Sequence, residues 1–134
     1  MEKNKFTYFN EKQDPKIIGL DQEFMASLDR ARHAAGIPFI ITSGLRSFID
    51  NENAGGVRDS AHLTGHAADI RCRNSEQAFK IIKGALIAGL NRIIIGIVLD
   101  KNELSGFRYH NLHLDDSKEL PAPRLAIKIY EEKI

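Results

Sequence analysis

Residues 107–115, FRYHNLHLD, read as a strand with two unlike faces. Side chains alternate across a strand. Leu112 and Leu114 therefore point one way, and Phe107, Tyr109, His113 and Asp115 point the other. The leucines require a core. His113 and Asp115 then face a groove. Any fold for this chain has to supply both surfaces at once.

The groove face gains meaning from the other histidines. Four of the five fall in two small groups, His62 with His66 and His110 with His113. A carboxylate follows each group, Asp69 and Asp115. A helix and a strand are expected between the groups, so a fold can bring ligands together from separate elements. Catalytic zinc takes three protein ligands and leaves a fourth position for water. Two neutral imidazoles and one carboxylate, His62, His113 and Asp69, meet that need. The resulting net positive charge acidifies bound water. Asp115 is placed to orient a ligating imidazole. His66 is read as a solvated strand residue.

Composition narrows the alternatives. The 134 residues suit one domain, 1–134, with one core. Lys and Arg total 19 against 18 Asp and Glu, and the basic residues are scattered. That argues against nucleic acid as a partner and gives no pull toward anionic lipid. The single cysteine, Cys72, excludes an internal disulfide and a C-x-x-C zinc site. The N-terminal segment has no apolar core of a secretory signal, so synthesis and initial residence in the cytoplasm are expected. The apolar run 93–99 is too short to span a bilayer.

Residues 1–18 read as a polar lead-in. Asp21 reads as an N-cap, with Leu20 and Met25 as a hydrophobic staple, opening a helix over 22–35 that Gly36 ends. IPFIITS at 37–43 reads as a buried strand. Residues 44–61 read as a long functional loop in which Gly55 and Gly56 supply positive φ. A strand at 67–72 follows. Asn74 and Gln77 then open a helix to about Leu90, with Phe79, Ile82, Leu86 and Leu90 as its apolar face. Strands are expected at 92–99 and 107–115, with a turn at 100–106. LAIKIYEE near the end fits a strand or a helix. The lack of regular β-α-β alternation points to an α+β fold.

Three segments resemble a known family. SAHLTGHAADI at 60–70 resembles the S-x-H-x6-D motif of the M15 metallopeptidases, the D-alanyl-D-alanine carboxypeptidase and phage endolysin group. TSGLRS at 42–47 resembles the S-G-x-R-S segment upstream of it. NLHLD at 111–115 resembles the later H-x-D segment. The segments occur in the family's order, over roughly residues 20 to 116.

The resemblance implies a small α+β domain with a central antiparallel sheet and flanking helices. It implies one Zn2+ held by His62, Asp69 and His113. Hydrolysis of an amide bond in a peptidoglycan stem peptide, by attack of zinc-bound water, is the implied activity. A D,D-carboxypeptidase and an endolysin-type endopeptidase both fit. Arg46 becomes a catalytic and substrate-binding cation near the scissile bond. Ser60 is a hydrogen-bonding residue beside the site, and Tyr109 lies with it on the substrate side. Many family members carry a glutamate base three residues before the third ligand, and here that position is His110. It is expected to act as base or oxyanion donor, provided the strand begins or bulges between it and His113. Asp115 and Asp116 are the other candidates. An aromatic residue common before H-x-D is replaced by Asn111. The missing glutamate motivates an alternative, a zinc-retaining module that binds wall peptide without cutting it. A monomer acting at the cell wall is expected.

Overall fold

The computed structural model describes residues 5–53 and 60–131. Gly55, Gly56 and Asp59, assigned above to the functional loop, lie outside the described residues. Five strands form one sheet in the order β1-β2-β4-β3-β5. They are β1 (Ile41–Ser43), β2 (Ala67–Arg71), β3 (Arg92–Leu99), β4 (Phe107–Asp115) and β5 (Arg124–Tyr130). Helices α1 (Gln22–Ala35) and α3 (Ser75–Ile87) pack against one another, and a short α2 (Phe48–Asn53) follows β1. The first four strands pair antiparallel, whereas β5 adds to β3 in parallel.

Local chemistry sets the helix ends. Asp21 accepts a hydrogen bond from the Phe24 N–H at 3.0 Å, and Gly36 closes α1 with φ 71°. Such a cap is worth about 1 kcal/mol. Asn74 accepts from the Gln77 N–H, and the Gln77 side chain accepts from the Arg73 N–H, both at 2.8 Å.

Four expectations change. The lead-in is not merely polar: Phe9 and Ile17 are buried, and Asp29 of α1 accepts from the Thr7 and Tyr8 N–H groups. In IPFIITS only Ile41–Ser43 joins the sheet, consistent with Pro38 lacking an N–H to donate. The undecided C-terminal segment is a strand, and its period-2 pattern now has a use. Arg124, Ala126, Lys128 and Tyr130 are half-buried, whereas Leu125, Ile127 and Ile129 are exposed.

The fourth change concerns α3. Phe79 is 73% exposed and Leu86 56%, while Ala78, Ile81, Gly84 and Ala85 are the buried face. Small size, not bulk, selects that face, because α1 lies so close. A Cβ on Gly84 would run into the Ala31 carbonyl oxygen and lie 2.9 Å from Ala35.

The sheet has two working faces. Ala68, Ile70, Ile93, Leu112 and Leu114 belong to the core. The other face is ordered by register. Ser43, Asp69, His113, Ile94 and Ala126 form one row across all five strands. Ala67, Asp115, Arg92 and Arg124 form the next.

Gly84→Ala tests the close helix contact. Alanine favours an isolated helix by about 1 kcal/mol, yet overpacking costs about 1–3 kcal/mol. The variant is expected to unfold at lower urea concentration than the wild type. An unchanged or raised midpoint would show that the helices have room to spare.

Candidate metal centre

His62 is delivered by a single 3-10 turn, Ala61–Thr64. The Ser60 hydroxyl caps that turn by accepting from the His62 N–H at 3.3 Å, and Gly65 ends it with φ 77°. The upstream segment fastens the same turn. Arg46 N–H donates to the His62 carbonyl at 3.0 Å, and the Gly44 carbonyl meets His62 Nδ1 at 2.7 Å. Asp69 comes from β2 and His113 from β4, directly paired in register.

The three side chains converge. His62 Nε2 lies 3.2 Å from Asp69 Oδ1 and 3.2 Å from His113 Nδ1. His113 Nδ1 lies 3.0 Å from Asp69 Oδ1. A tetrahedral zinc with bonds of about 2.0–2.1 Å would separate its ligands by roughly 3.3–3.4 Å. The triangle therefore has the right size.

Its proton inventory also suits a cation. The Gly44 carbonyl can only accept, so His62 Nδ1 carries the hydrogen and Nε2 presents a lone pair. Asp115 Oδ2 lies 2.7 Å from His113 Nε2 and accepts its hydrogen, so His113 Nδ1 is the nitrogen turned inward. With His113 neutral, two lone pairs and a carboxylate point at one spot, an arrangement that a metal ion would stabilise.

The surroundings are charged and largely buried. Asp69 Oδ2 accepts from Arg46 Nη2 at 2.9 Å, and Arg46 Nε donates to Ser43 Oγ. Asp115 Oδ1 accepts from Arg92 Nε at 2.7 Å and from the Ser117 N–H at 3.1 Å. Burial opposes ionisation of Asp69, but His113 and His62 outweigh it and hold the carboxyl well below the usual range. Burial likewise opposes a charged His113. Its bonds to Asp115 and Asp69 prevail and raise its pKa above the ordinary histidine value.

A pocket of about 630 Å³ opens over the triad, lined also by Arg46, Ser60, Arg124, Lys128 and Tyr130. That volume suits a small peptide. Arg46 and Ser60 therefore face the pocket as well as holding ligands in place. Asp115 also lines it, but both of its oxygens are engaged. Asp116 binds His66 Nδ1 at 2.8 Å, in a separate cluster with Asp21.

Strand β4 corrects the placement of two aromatic residues. Pairing steps from Gly96↔Asn111 to Ile97↔Tyr109, so His110 is an extra residue in a bulge. The parity of the strand flips there. Tyr109 packs against the core with its hydroxyl 3.3 Å from Ser75 Oγ, and it does not line the pocket. Phe107 pairs with Leu99 and so shares Tyr109's side of the sheet. His110 is exposed and lies against Tyr130, ring centroids 4.4 Å apart, in the cleft next to the pocket. Tyr130 lines both.

The pattern reading missed Tyr130, Arg124 and Lys128, because nothing local ties β5 to the histidines. The alternation in RLAIKIY was the available signal. Tyr130 reaches the site because Gly96 leaves room: a Cβ there would collide with the Asn111 side chain and lie 2.8 Å from the Tyr130 ring. Asn111 Nδ2 donates to the Tyr130 hydroxyl at 3.3 Å. Burial, with Asp69's charge, pushes the phenol above its ordinary pKa. At neutral pH Tyr130 is therefore a hydrogen-bond donor.

Residues 2–95 match the Peptidase M15 family, and the chain belongs to it. The match includes His62 and Asp69; His113 lies beyond it. A 47-residue stretch is 45% identical to the zinc D-Ala-D-Ala carboxypeptidase of Streptomyces albus G, covering 34% of this chain and 18% of that protein's length. The fold resembles that of the L-Ala D-Glu endopeptidase ChiX of Serratia marcescens, with TM-score 0.51 and 18% identity over 88% of this chain and 96% of the other.

Two outcomes follow. His62→Ala and Asp69→Ala should each reduce bound zinc from one ion per chain to near none, with far-UV circular dichroism little changed; full occupancy in either variant would remove that residue from the ligand set. Zinc and a proton also compete for His113 Nδ1. Because its pKa is raised, competition begins above the ordinary value of about 6.5, and affinity falls by about tenfold per pH unit below it. Chelator competition between about pH 5 and 8 reads this, and a flat profile would mean that the metal displaces no proton from His113.

Proposed function

We propose that this protein is a zinc-dependent peptidase that hydrolyses an amide bond in peptidoglycan stem peptides. The observation that carries the reading is the convergence of two imidazole lone pairs and Asp69 under a peptide-sized pocket. Each imidazole is oriented by a group behind it. Zinc held there supplies a Lewis acid and an activated water. Family membership, and the carboxypeptidase and endopeptidase activities in the relatives' names, support peptide hydrolysis as the reaction.

Roles for the protein's own groups follow from position. Arg46 and Ser60 bind substrate at the pocket wall while holding Asp69 and the His62 turn. The Tyr130 O–H donates toward the carbonyl oxygen as negative charge develops on it. His110, which lines the neighbouring cleft and not the metal pocket, is the candidate left for the proton-accepting role by elimination. Asp115 has both oxygens engaged, and Asp116 is occupied by His66, whereas the His110 imidazole is exposed beside Tyr130.

One observation favours a second reading, a module that keeps zinc and binds wall peptide without cutting it. Among the described residues lining the pocket, the only carboxylates are Asp69 and Asp115.

The zinc-loaded protein should release a peptide or D-alanine from purified peptidoglycan. His110→Ala should lower kcat by about 10²–10⁴-fold and Tyr130→Phe by about 10²–10³-fold, with zinc retained in both. Wild type that carries zinc and binds peptidoglycan, yet releases nothing, would establish the binding module instead.

A further inference from the structure

The helix layer does not reach the end of the sheet. Leu112 and Leu114 of β4 are fully buried on the core side, and Ile93 of β3 is almost so. Ile95, further along β3, is only half-buried. On β5, Leu125, Ile127 and Ile129 pair with Ile93, Ile95 and Ile97 and share their side of the sheet. These three are 70%, 66% and 59% exposed. Cover therefore runs out across β3.

The positions of the helices explain this. The start of α1 is tied to the segment that leads into β2, where the Asp21 N–H donates to the Gly65 carbonyl at 2.9 Å. α3 packs beside α1 and against β4, one strand further along. Its Gly84 flank meets Ala31 and Ala35 of α1. Phe79 and Leu86 lie at helical spacing on the other flank, toward β5, and both are exposed. The result is a step. Phe79 and Leu86 form its wall, and the three β5 side chains form its floor.

A second copy of this chain fits that step. Helices are about 10 Å thick and sheets stack about 10 Å apart. The step is therefore one layer deep, and the β5 end of another sheet has the thickness to fill it. Related by a two-fold axis, each copy would lay its β5 floor on that of the other and bring β5 beside the other copy's α3 wall. The same patch then meets itself, as a closed two-fold interface requires.

Charge and area agree with this occupant. Arg124 and Lys128 of β5 line the metal pocket on the opposite face of the sheet, so the cations of the two copies point apart and both pockets stay open. Side chains of this kind offer on the order of 100 Å² of apolar surface each. Five from each copy would bury about 1,000 Å² in all, the size at which specific interfaces begin.

We propose that this step, walled by Phe79 and Leu86 and floored by Leu125, Ile127 and Ile129, is a two-fold interface between two copies of this chain. The proposal does not depend on the reaction assigned to the metal pocket.

Sedimentation velocity of the zinc-loaded full chain, from about 1 to 300 μM, tests it. The mass should rise with concentration from 15.0 kDa to twice that value and no further. Ile127→Lys on the floor and Phe79→Glu on the wall should each weaken association at least about tenfold. Bound zinc and far-UV circular dichroism should stay as in wild type. If one variant fails to fold, the other carries the comparison. Leu104→Lys, at an exposed residue in the turn between β3 and β4, should associate like wild type. A wild type that stays a monomer throughout, or folded variants that still dimerise, would overturn the interface. So would an equal loss in Leu104→Lys, which would mark general apolar adhesion. Binding of a monomeric wild type to phosphatidylcholine vesicles, lost in Ile127→Lys, would give the face to lipid instead.

Discussion

The Asp115 carboxylate is the point on which the site turns. It is almost wholly buried, and three groups donate to it: Arg92 from β3, the Ser117 backbone and His113 beside it on β4. A buried charge is tolerated only when paired and hydrogen-bonded. Removing one partner of such a pair typically costs about 3–5 kcal/mol, a large share of a domain's net stability of about 5–15 kcal/mol. The same carboxylate that needs Arg92 for stability sets the tautomer of His113. Fold stability and metal-site chemistry therefore meet in one side chain.

Around that point, the sheet acts as a ruler. Asp69 and His113 meet because β2 and β4 pair in one register, and a slip by one residue would turn either ligand toward the helices. Ligand His62 lies off the sheet and needs a different device. Its turn is capped by Ser60, ended by Gly65 and fastened to Gly44 and Arg46. Close approaches make both arrangements possible. Gly44 lies against the Lys16 carbonyl, and Gly96 makes room for Asn111 and Tyr130. These glycines hold space for neighbours: a methyl group would meet the Lys16 backbone at Gly44, and the Asn111 and Tyr130 side chains at Gly96.

Much of this was legible from local pattern. The α1 boundaries, the turn at 100–106, and strands β3 and β4 follow from capping residues and alternation, which are short-range physics. The grouping of His62, Asp69 and His113 was legible for a similar reason: each sits in a segment whose neighbours also carry a pattern. The α3 face was misread because apolar bulk points toward Phe79 and Leu86, whereas the proximity of α1 favours Ala78, Gly84 and Ala85. Tyr109 was misread because strict alternation was carried through a bulge. A bulge depends on the partner strand, which no nine-residue window contains.

The amino-acid sequence by itself determined an α+β chain with a two-faced strand at 107–115 and histidine and aspartate groups suited to one metal ion. Those properties depend on residue type and on spacing along the chain. Tertiary structure alone decided which imidazole nitrogen faces inward, that His110 lies against Tyr130, and that β5 completes the pocket with Arg124 and Lys128. These depend on strand order and register. Through them, the parallel addition of β5 to β3 sets residues from the end of the chain beside ligands folded from its middle.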